Sequence, residues 1–457
     1  MKISPSLIKK YNVPVPRYTS YPPANFFEGN ITQEQYINAI EKSNNDKPEN
    51  ISIYIHIPFC KQQCLYCGCN NIVTNNKELM HKYVQSLKAE MKMVFPMIDH
   101  HRKVSQIHWG GGTPNVLSEE TVAEIMDLIK QEFQFIKNPE MAIECHPAHL
   151  TQKYIEKLSD SGFTRISLGV QDFQEKVLNA VNREIPEIPV AELSKMIHDA
   201  GMTDNIDLIY GLPYQTEDSF SKDIDKIIEI SPDRLVTFSY AHVPWIKKAQ
   251  KKLEEYGLPE ADEKLKMFGQ AWHKMKQAGY IPIGLDHYAR PEDPLAQALK
   301  NKTLHRNFQG YCTLETTGQV YAFGVTGISQ FNGAYIQNIK GIEDYIKAIG
   351  ENKFLVEKGY FLNNKEKLIR YVIDEIMCNN YLSWTQVSDA FGMTRDEVIK
   401  ELNFSDDKLL SFKKDDLLDF DENEIKIHDE GRFFLRNIAA VFDPHVNDSV
   451  HRYSKAL

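Results

Sequence analysis

Ile51-Ser-Ile-Tyr-Ile-His-Ile57 alternates without a break, apolar at 51, 53, 55 and 57 and polar at 52, 54 and 56. That two-residue period predicts a β-strand. Shorter strand-like runs recur at 106–109, 141–144, 165–169, 205–209 and 234–239. Between and after them, helical spacing predicts helices near 77–95, from Ser118 onward, up to about 161, near 174–181 and 190–200, and over 219–229 and 261–278. Ser118-Glu-Glu supplies a capping hydroxyl and early acids for one of these starts. Six βα units in series imply a parallel sheet with outer helices, either open or curled into a barrel.

The pattern changes at both ends. Residues 1–47 are polar and broken by Pro14, Pro16, Pro22 and Pro23, which predicts an extended arm. From about 363, helices are expected over 365–377, 384–391 and 394–402. A short strand at 425–428, a turn at Gly431 and a last helix over 432–442 follow. The expected organisation is an arm (1–47), a catalytic domain (48–360) and a small, mainly helical, winged-helix-like domain (361–457). Without a basic face, that last domain suits packing or substrate covering better than DNA binding.

Composition narrows the class. The chain is 42% hydrophobic and 25% charged, with ample core for a globular protein. Its net charge of −10 argues against a general nucleic-acid binder, while a local basic pocket for an anionic substrate stays open. No run approaches the roughly 20 apolar residues of a membrane span. The first residues lack an apolar signal core, so the expected compartment is the cytoplasm.

Four of the seven cysteines fall at Cys60, Cys64, Cys67 and Cys69; Cys145, Cys312 and Cys378 are scattered. That is a poor disulfide framework and a good metal or redox site. The spacing C-x3-C-x2-C brings three thiolates to one iron–sulfur cluster and leaves one iron with an open position, whereas an electron-transfer cluster takes four. Structural zinc would call for a second C-x2-C pair, which is missing. Cys69 as a fourth ligand would close the cluster. Its C-x-C spacing from Cys67 is awkward, and three ligands with Cys69 nearby is the favoured reading.

The other candidates sit at expected strand ends. Gly110-Gly-Gly-Thr-Pro114 lets backbone approach a ligand closely, with N–H groups able to meet a carboxylate or ribose. It is not a dinucleotide fingerprint. Glu144, Asp207 and Gln171 can accept from an amine or hydroxyls, and Arg183 can pair with a carboxylate. Any one of these alone is more often a cap or surface residue. His242 and His287 are possible proton shuttles, although a lone histidine is more often structural.

These motifs resemble those of radical S-adenosylmethionine enzymes and, more narrowly, the oxygen-independent coproporphyrinogen III oxidase family. The resemblance spans the chain. It rests on Arg17-Tyr-Thr-Ser-Tyr-Pro22, His56 to Cys69, His108 to Pro114, Gly169 to Phe173, Val181-Asn-Arg183, Asn205 to Pro213, Tyr240-Ala-His242, Asp286 to Pro291 and His305 to Tyr311. It implies a partial (β/α)6 TIM-like barrel and a 4Fe–4S cluster on Cys60, Cys64 and Cys67. It also implies two S-adenosylmethionine molecules, the first touching Tyr54, Gly111, Glu144 and Ile328. The second would touch Tyr66, Gly112, Thr113, Gln171, Arg183, Asp207 and Ala241. Tyr66 stands where phenylalanine is common. Catalysis is assigned to Cys69, Tyr54 and Glu144.

The implied reaction uses a 5′-deoxyadenosyl radical to turn two propionates of coproporphyrinogen III into vinyl groups, giving protoporphyrinogen IX. Arg17, Arg290 and Arg306 are the expected contacts to its carboxylates. A monomer is expected, served by an electron donor such as flavodoxin or ferredoxin, although the acidic composition shows no obvious docking patch for either. Two alternatives share the cluster: a heme chaperone and a heme-degrading radical methyltransferase. The arm and the His305 motif speak against the chaperone. Glu144-Cys-His-Pro-Ala-His149 departs from the Glu-x-Asp-Pro-Arg pattern of some members.

Overall fold

The computed structural model describes residues 5–354 and 356–446. They form two compact units, each discontinuous in sequence. One is built from Glu28–Gly279 and Glu315–Gly359, the other from Met1–Phe27, Tyr280–Leu314 and Tyr360–Leu457.

The first unit carries six parallel strands in sequential order: β1 (Ile51–Ile57), β2 (Val104–Gly111), β3 (Phe135–Cys145), β4 (Arg165–Gln171), β5 (Thr203–Tyr210) and β6 (Arg234–Ser239). A seventh, β7 (Gln319–Phe323), lies parallel to the outer side of β1 and continues into antiparallel strands Ile328–Phe331 and Ala334–Asn338. Each of the six parallel strands β1 to β6 neighbours the next in sequence, which is the order of a partial barrel. Helices α1 (Lys77–Val94), α2 (Glu119–Glu132), α3 (Gln152–Asp160), α4 (Glu175–Ala180), α5 (Val190–Asp199), α6 (Glu217–Ile230) and α7 (Ala261–Gln277) alternate with them.

The apolar stripes explain the layers. In β1, Ile51, Ile53, Ile55 and Ile57 are fully buried, and α1 turns Val84, Leu87, Met91 and Val94 inward. The polar face of β1 is covered too: Ser52 is 0% exposed and His56 6%. The barrel interior is therefore filled by polar groups that bond one another. At its floor Ser52 donates to Gln106, Gln106 to Glu140, and Arg165 and Arg234 each reach Glu140 at 3.0 Å. One layer up, Asn205 donates to Ser167 and to Asp207 at 2.7 and 2.8 Å.

The second unit contains the winged-helix-like part. Helices Asn364–Asn379, Trp384–Phe391 and Arg395–Glu401 accompany a three-stranded sheet ordered Tyr381–Ser383, Glu424–Ile427, Leu418–Phe420. The chain's first segment is fastened within it. Tyr18 donates to Asp443 at 2.9 Å, and Asn437 to the Tyr11 carbonyl at 2.8 Å. The last expected helix, 432–442, is broken into a short α-helix, Leu435–Ala439, between two 3-10 turns. Helix Gln33–Ser43, expected as part of an arm, belongs instead to the first unit, where Ser43 meets the Tyr321 hydroxyl at 2.7 Å.

Candidate active site

The cysteine loop leaves the C-terminal end of β1 and is pinned along its whole length. Ile72 N–H donates to the Pro58 carbonyl and Thr74 N–H to that of Cys60, at 2.7 and 3.1 Å. Leu65 N–H reaches the Val181 carbonyl at 2.9 Å, and Asn182 donates to the Gln63 carbonyl at 2.8 Å. Lys247 and Gln250 hold the carbonyls of Cys69 and Tyr66 at 2.7 and 3.0 Å. These six bonds anchor the loop that presents the thiols.

Those thiols face one pocket. It holds about 840 Å³ of free space, part of it open to solvent, and Cys60, Cys64, Cys67 and Cys69 all line it. So do Tyr66, Gly111, Gly112, Thr113, Glu144, Gln171, Arg183 and Asp207. Ala241 and Ile328 are not part of this lining; the Ala241 carbonyl instead accepts from Gln250 at 3.3 Å, and Ile328 opens the strand Ile328–Phe331. Tyr54 lies beneath it. Its hydroxyl meets His56 Nδ1 at 3.2 Å, its ring stacks on His108, and His108 Nε2 meets Glu144 at 3.0 Å. Burial raises the Tyr54 hydroxyl well above the usual phenol range.

The donor set fits an iron–sulfur cluster. All seven cysteines are reduced and unpaired. The Cys69 thiol donates to Cys67, which pulls Cys67 down to about 6, helped by Lys247 and Arg183; Cys69 is pushed up in return. Burial raises Cys60, against hydrogen bonds from Thr113 and Asn71. Arg183 approaches Cys64 Sγ at 3.4 Å and also donates to the Gly169 carbonyl. Thiols beside a guanidinium are the surroundings a thiolate-bound cluster needs.

The pocket also fits a polar organic ligand. Gln171 holds a left-handed backbone (φ 75°), and its Oε1 is buried without a hydrogen-bond partner. A buried acceptor left open toward a pocket is what a ligand donor would satisfy. The glycine run works differently from expectation. Gly112 and Thr113 N–H are already spent on the Ile57 and Phe59 carbonyls, at 2.8 and 2.9 Å. Small size is needed for packing: a Cβ on Gly110 would meet the Glu144 carboxylate at 2.9 Å, and one on Gly112 the Phe59 carbonyl at 2.7 Å.

The departure at 144–149 acquires a physical account that the sequence reading lacked. His146 Nδ1 accepts from Ala148 N–H at 3.2 Å and caps the turn Pro147–His149, the job of a carboxylate at that position. Burial and the nearby cations lower His146 to about 2, so its ring stays neutral and can accept. Asn115 clamps its backbone on both sides at 2.9 and 3.1 Å. His149 stacks on His146 and meets Glu184 at 3.0 Å. Glu184 was missed by sequence reasoning because it stands in a polar loop with no periodicity.

The expected substrate contacts lie in the other unit. Arg17 is 3.8 Å from Asp286, the Arg306 guanidinium sits 4.8 Å over the Tyr311 ring, and Arg290 follows the strand His287–Ala289. Arg306 Nε is buried with no hydrogen-bond partner. His242 is bonded on both ring nitrogens, to Tyr240 and Glu254, and His287 to Asp286.

Comparison with known proteins agrees with this site. Residues 54–227 match the Radical SAM superfamily. The oxygen-independent coproporphyrinogen III oxidase of Synechocystis is 37% identical over all of this chain and 98% of its own, and that of Escherichia coli K12 is 38% identical over 99% and 98%. A solved coproporphyrinogen III oxidase of Escherichia coli, described as a radical SAM enzyme, superposes with a TM-score of 0.89 at 35% identity, covering 97% of this chain and 99% of its own. A three-thiol loop on the first strand of a partial barrel and end-to-end likeness to these enzymes lead to one conclusion: the chain belongs to the oxygen-independent coproporphyrinogen III oxidase family of the radical SAM superfamily.

Proposed function

We propose that this enzyme oxidatively decarboxylates two propionate side chains of coproporphyrinogen III to vinyl groups, giving protoporphyrinogen IX. The observation that carries the reading is the pinned loop whose thiols line a pocket together with Glu144, Gln171, Arg183 and Asp207. Cys60, Cys64 and Cys67 would hold a 4Fe–4S cluster there. When bound, the cluster and S-adenosylmethionine supply one-electron cleavage of a sulfonium and hydrogen-atom abstraction from carbon.

The chain's own residues bind, orient and exclude water. The Glu144 carboxylate, held at 3.0 Å by His108, accepts from the amine of a first S-adenosylmethionine. Asp207, fixed by Ser167 and Asn205, accepts from a second, whose carboxylate pairs with Arg183. Arg17, Arg290 and Arg306 take substrate carboxylates; the open Arg306 Nε supports that role. The full-length resemblance, arm and His305 segment included, favours decarboxylation over heme transfer or heme methylation. The electron donor is flavodoxin or ferredoxin, acting on a monomer in the cytoplasm.

An anaerobic assay of cluster-loaded protein with reductant, S-adenosylmethionine, coproporphyrinogen III and a cell extract as terminal acceptor tests this. Wild-type protein should form protoporphyrin, read by fluorescence after oxidation and chromatography, and Cys64→Ser should form none. 5′-Deoxyadenosine without protoporphyrin would leave the radical chemistry standing and sink the substrate assignment.

A further inference from the structure

Trp245 and Ile246 are the most exposed large apolar side chains among the described residues, at 74% and 68%. They lead into the 3-10 helix Lys248–Tyr256. A 3-10 helix repeats every three residues, and here one row faces inward. Lys247 holds the Cys69 carbonyl, Gln250 holds that of Tyr66, and Leu253 is fully buried beside Val177 and Val181. The remaining rows are exposed and present Lys248, Lys251 and Lys252. Acids enter only at the far end: Glu254 is engaged by His242 at 3.0 Å, and Glu255 follows it.

Segment 245–252 thus carries four lysines and no acid, in a chain of net charge −10. It is bonded directly to the loop that carries the thiols. The aromatic character continues beyond the helix, where Tyr214 lies 5.9 Å from Tyr256 and under Lys176. A paired apolar anchor rimmed by one sign of charge marks an interaction surface. Steering by that charge selects a partner of opposite sign.

We infer that this patch docks an acidic one-electron carrier protein, which delivers its electron to the cluster on the cysteine loop. The carrier is oxidised by one electron and the cluster reduced by one, with no bond made or broken. The inference rests on the function proposed above and supplies the docking surface that composition alone did not reveal.

The test uses cluster-loaded protein and a recombinant flavodoxin. Binding is followed by fluorescence anisotropy, and 5′-deoxyadenosine formation is driven separately by dithionite. The triple variant K248E/K251E/K252E should weaken flavodoxin binding about tenfold and flatten its salt dependence. Trp245→Ala should weaken it without changing the salt slope. Both should keep the dithionite-driven rate. Unchanged flavodoxin affinity in both variants overturns the inference. So does a raised KM for coproporphyrinogen III under dithionite with carrier binding intact, which would assign the patch to substrate. If wild-type protein makes protoporphyrin with dithionite yet never binds flavodoxin, docking fails alone. If it binds flavodoxin through the patch yet makes no protoporphyrin, the decarboxylation reading fails and docking stands.

Discussion

The Glu140 carboxylate, 15% exposed, sits between two guanidinium groups on the barrel floor. Burial alone would raise its pKa; Arg165 and Arg234 reverse that and hold it well below the usual carboxylate range. Removing one partner of such a network leaves uncompensated buried charge. Glu140→Gln should therefore cost about 3 kcal/mol of stability, read by urea unfolding; a loss under about 1 kcal/mol would show the arginines re-satisfied by water. His198 poses the opposite titration. Its bond to Asp204, with Asp233 beside it, raises the imidazole to about 9. A raised folded value means that the ion pair contributes fully below the unfolded histidine range near 6.5 and is lost as pH rises through about 9. The stability gap between wild type and His198→Gln should then shrink between pH 7 and 10. The effect is modest, because the ring is 39% exposed and screened. A gap that widens with pH would contradict the pairing.

At the scale of elements, strict patterns were legible and irregular ones were not. The bounds of β1 and β6 match the expected runs, β1 because it alternates from end to end and β6 because Leu235, Val236 and Phe238 mark its middle. Strands β2 to β5 extend past the expected runs, β3 furthest, to Phe135–Cys145, where its first half carries no apolar period. Glu140, just before the expected run 141–144, looks like a loop residue until its partners Gln106, Arg165 and Arg234 are known. The short strands between 281 and 338 are too short to show a period of their own, although most pair as local antiparallel hairpins. The turn Pro147–His149 shows how an unexplained residue becomes legible through its bonds. Its His146 cap predicts that His146→Asp keeps the turn, since a carboxylate also accepts the Ala148 N–H, while His146→Ala loses about 1 kcal/mol. Thermal unfolding of the two variants decides this; equal losses would remove the capping role.

For the whole molecule, the site was legible in kind before it was legible in arrangement. The cysteine spacing pointed to a cluster, and the pocket gathers the strand-end candidates Glu144, Gln171 and Asp207, with Arg183 from the segment after α4, while Ala241 lies outside its lining. What spacing could not reveal is that the Gly112 and Thr113 amides are consumed by the Ile57 and Phe59 carbonyls, or that net acidity hides a basic, aromatic patch bonded to the cysteine loop. Both depend on which residues far apart in sequence come to share a surface.

The central claim is hydrogen abstraction from a substrate propionate within this pocket. Its most direct measurement is isotope transfer: cluster-loaded protein is turned over anaerobically with coproporphyrinogen III deuterated at the propionate β-carbons, and the 5′-deoxyadenosine is analysed by mass spectrometry. The account predicts 5′-deoxyadenosine heavier by one deuterium, formed together with protoporphyrinogen. Unlabelled 5′-deoxyadenosine alongside product would contradict it, because the abstracted hydrogen would then come from somewhere other than the propionate.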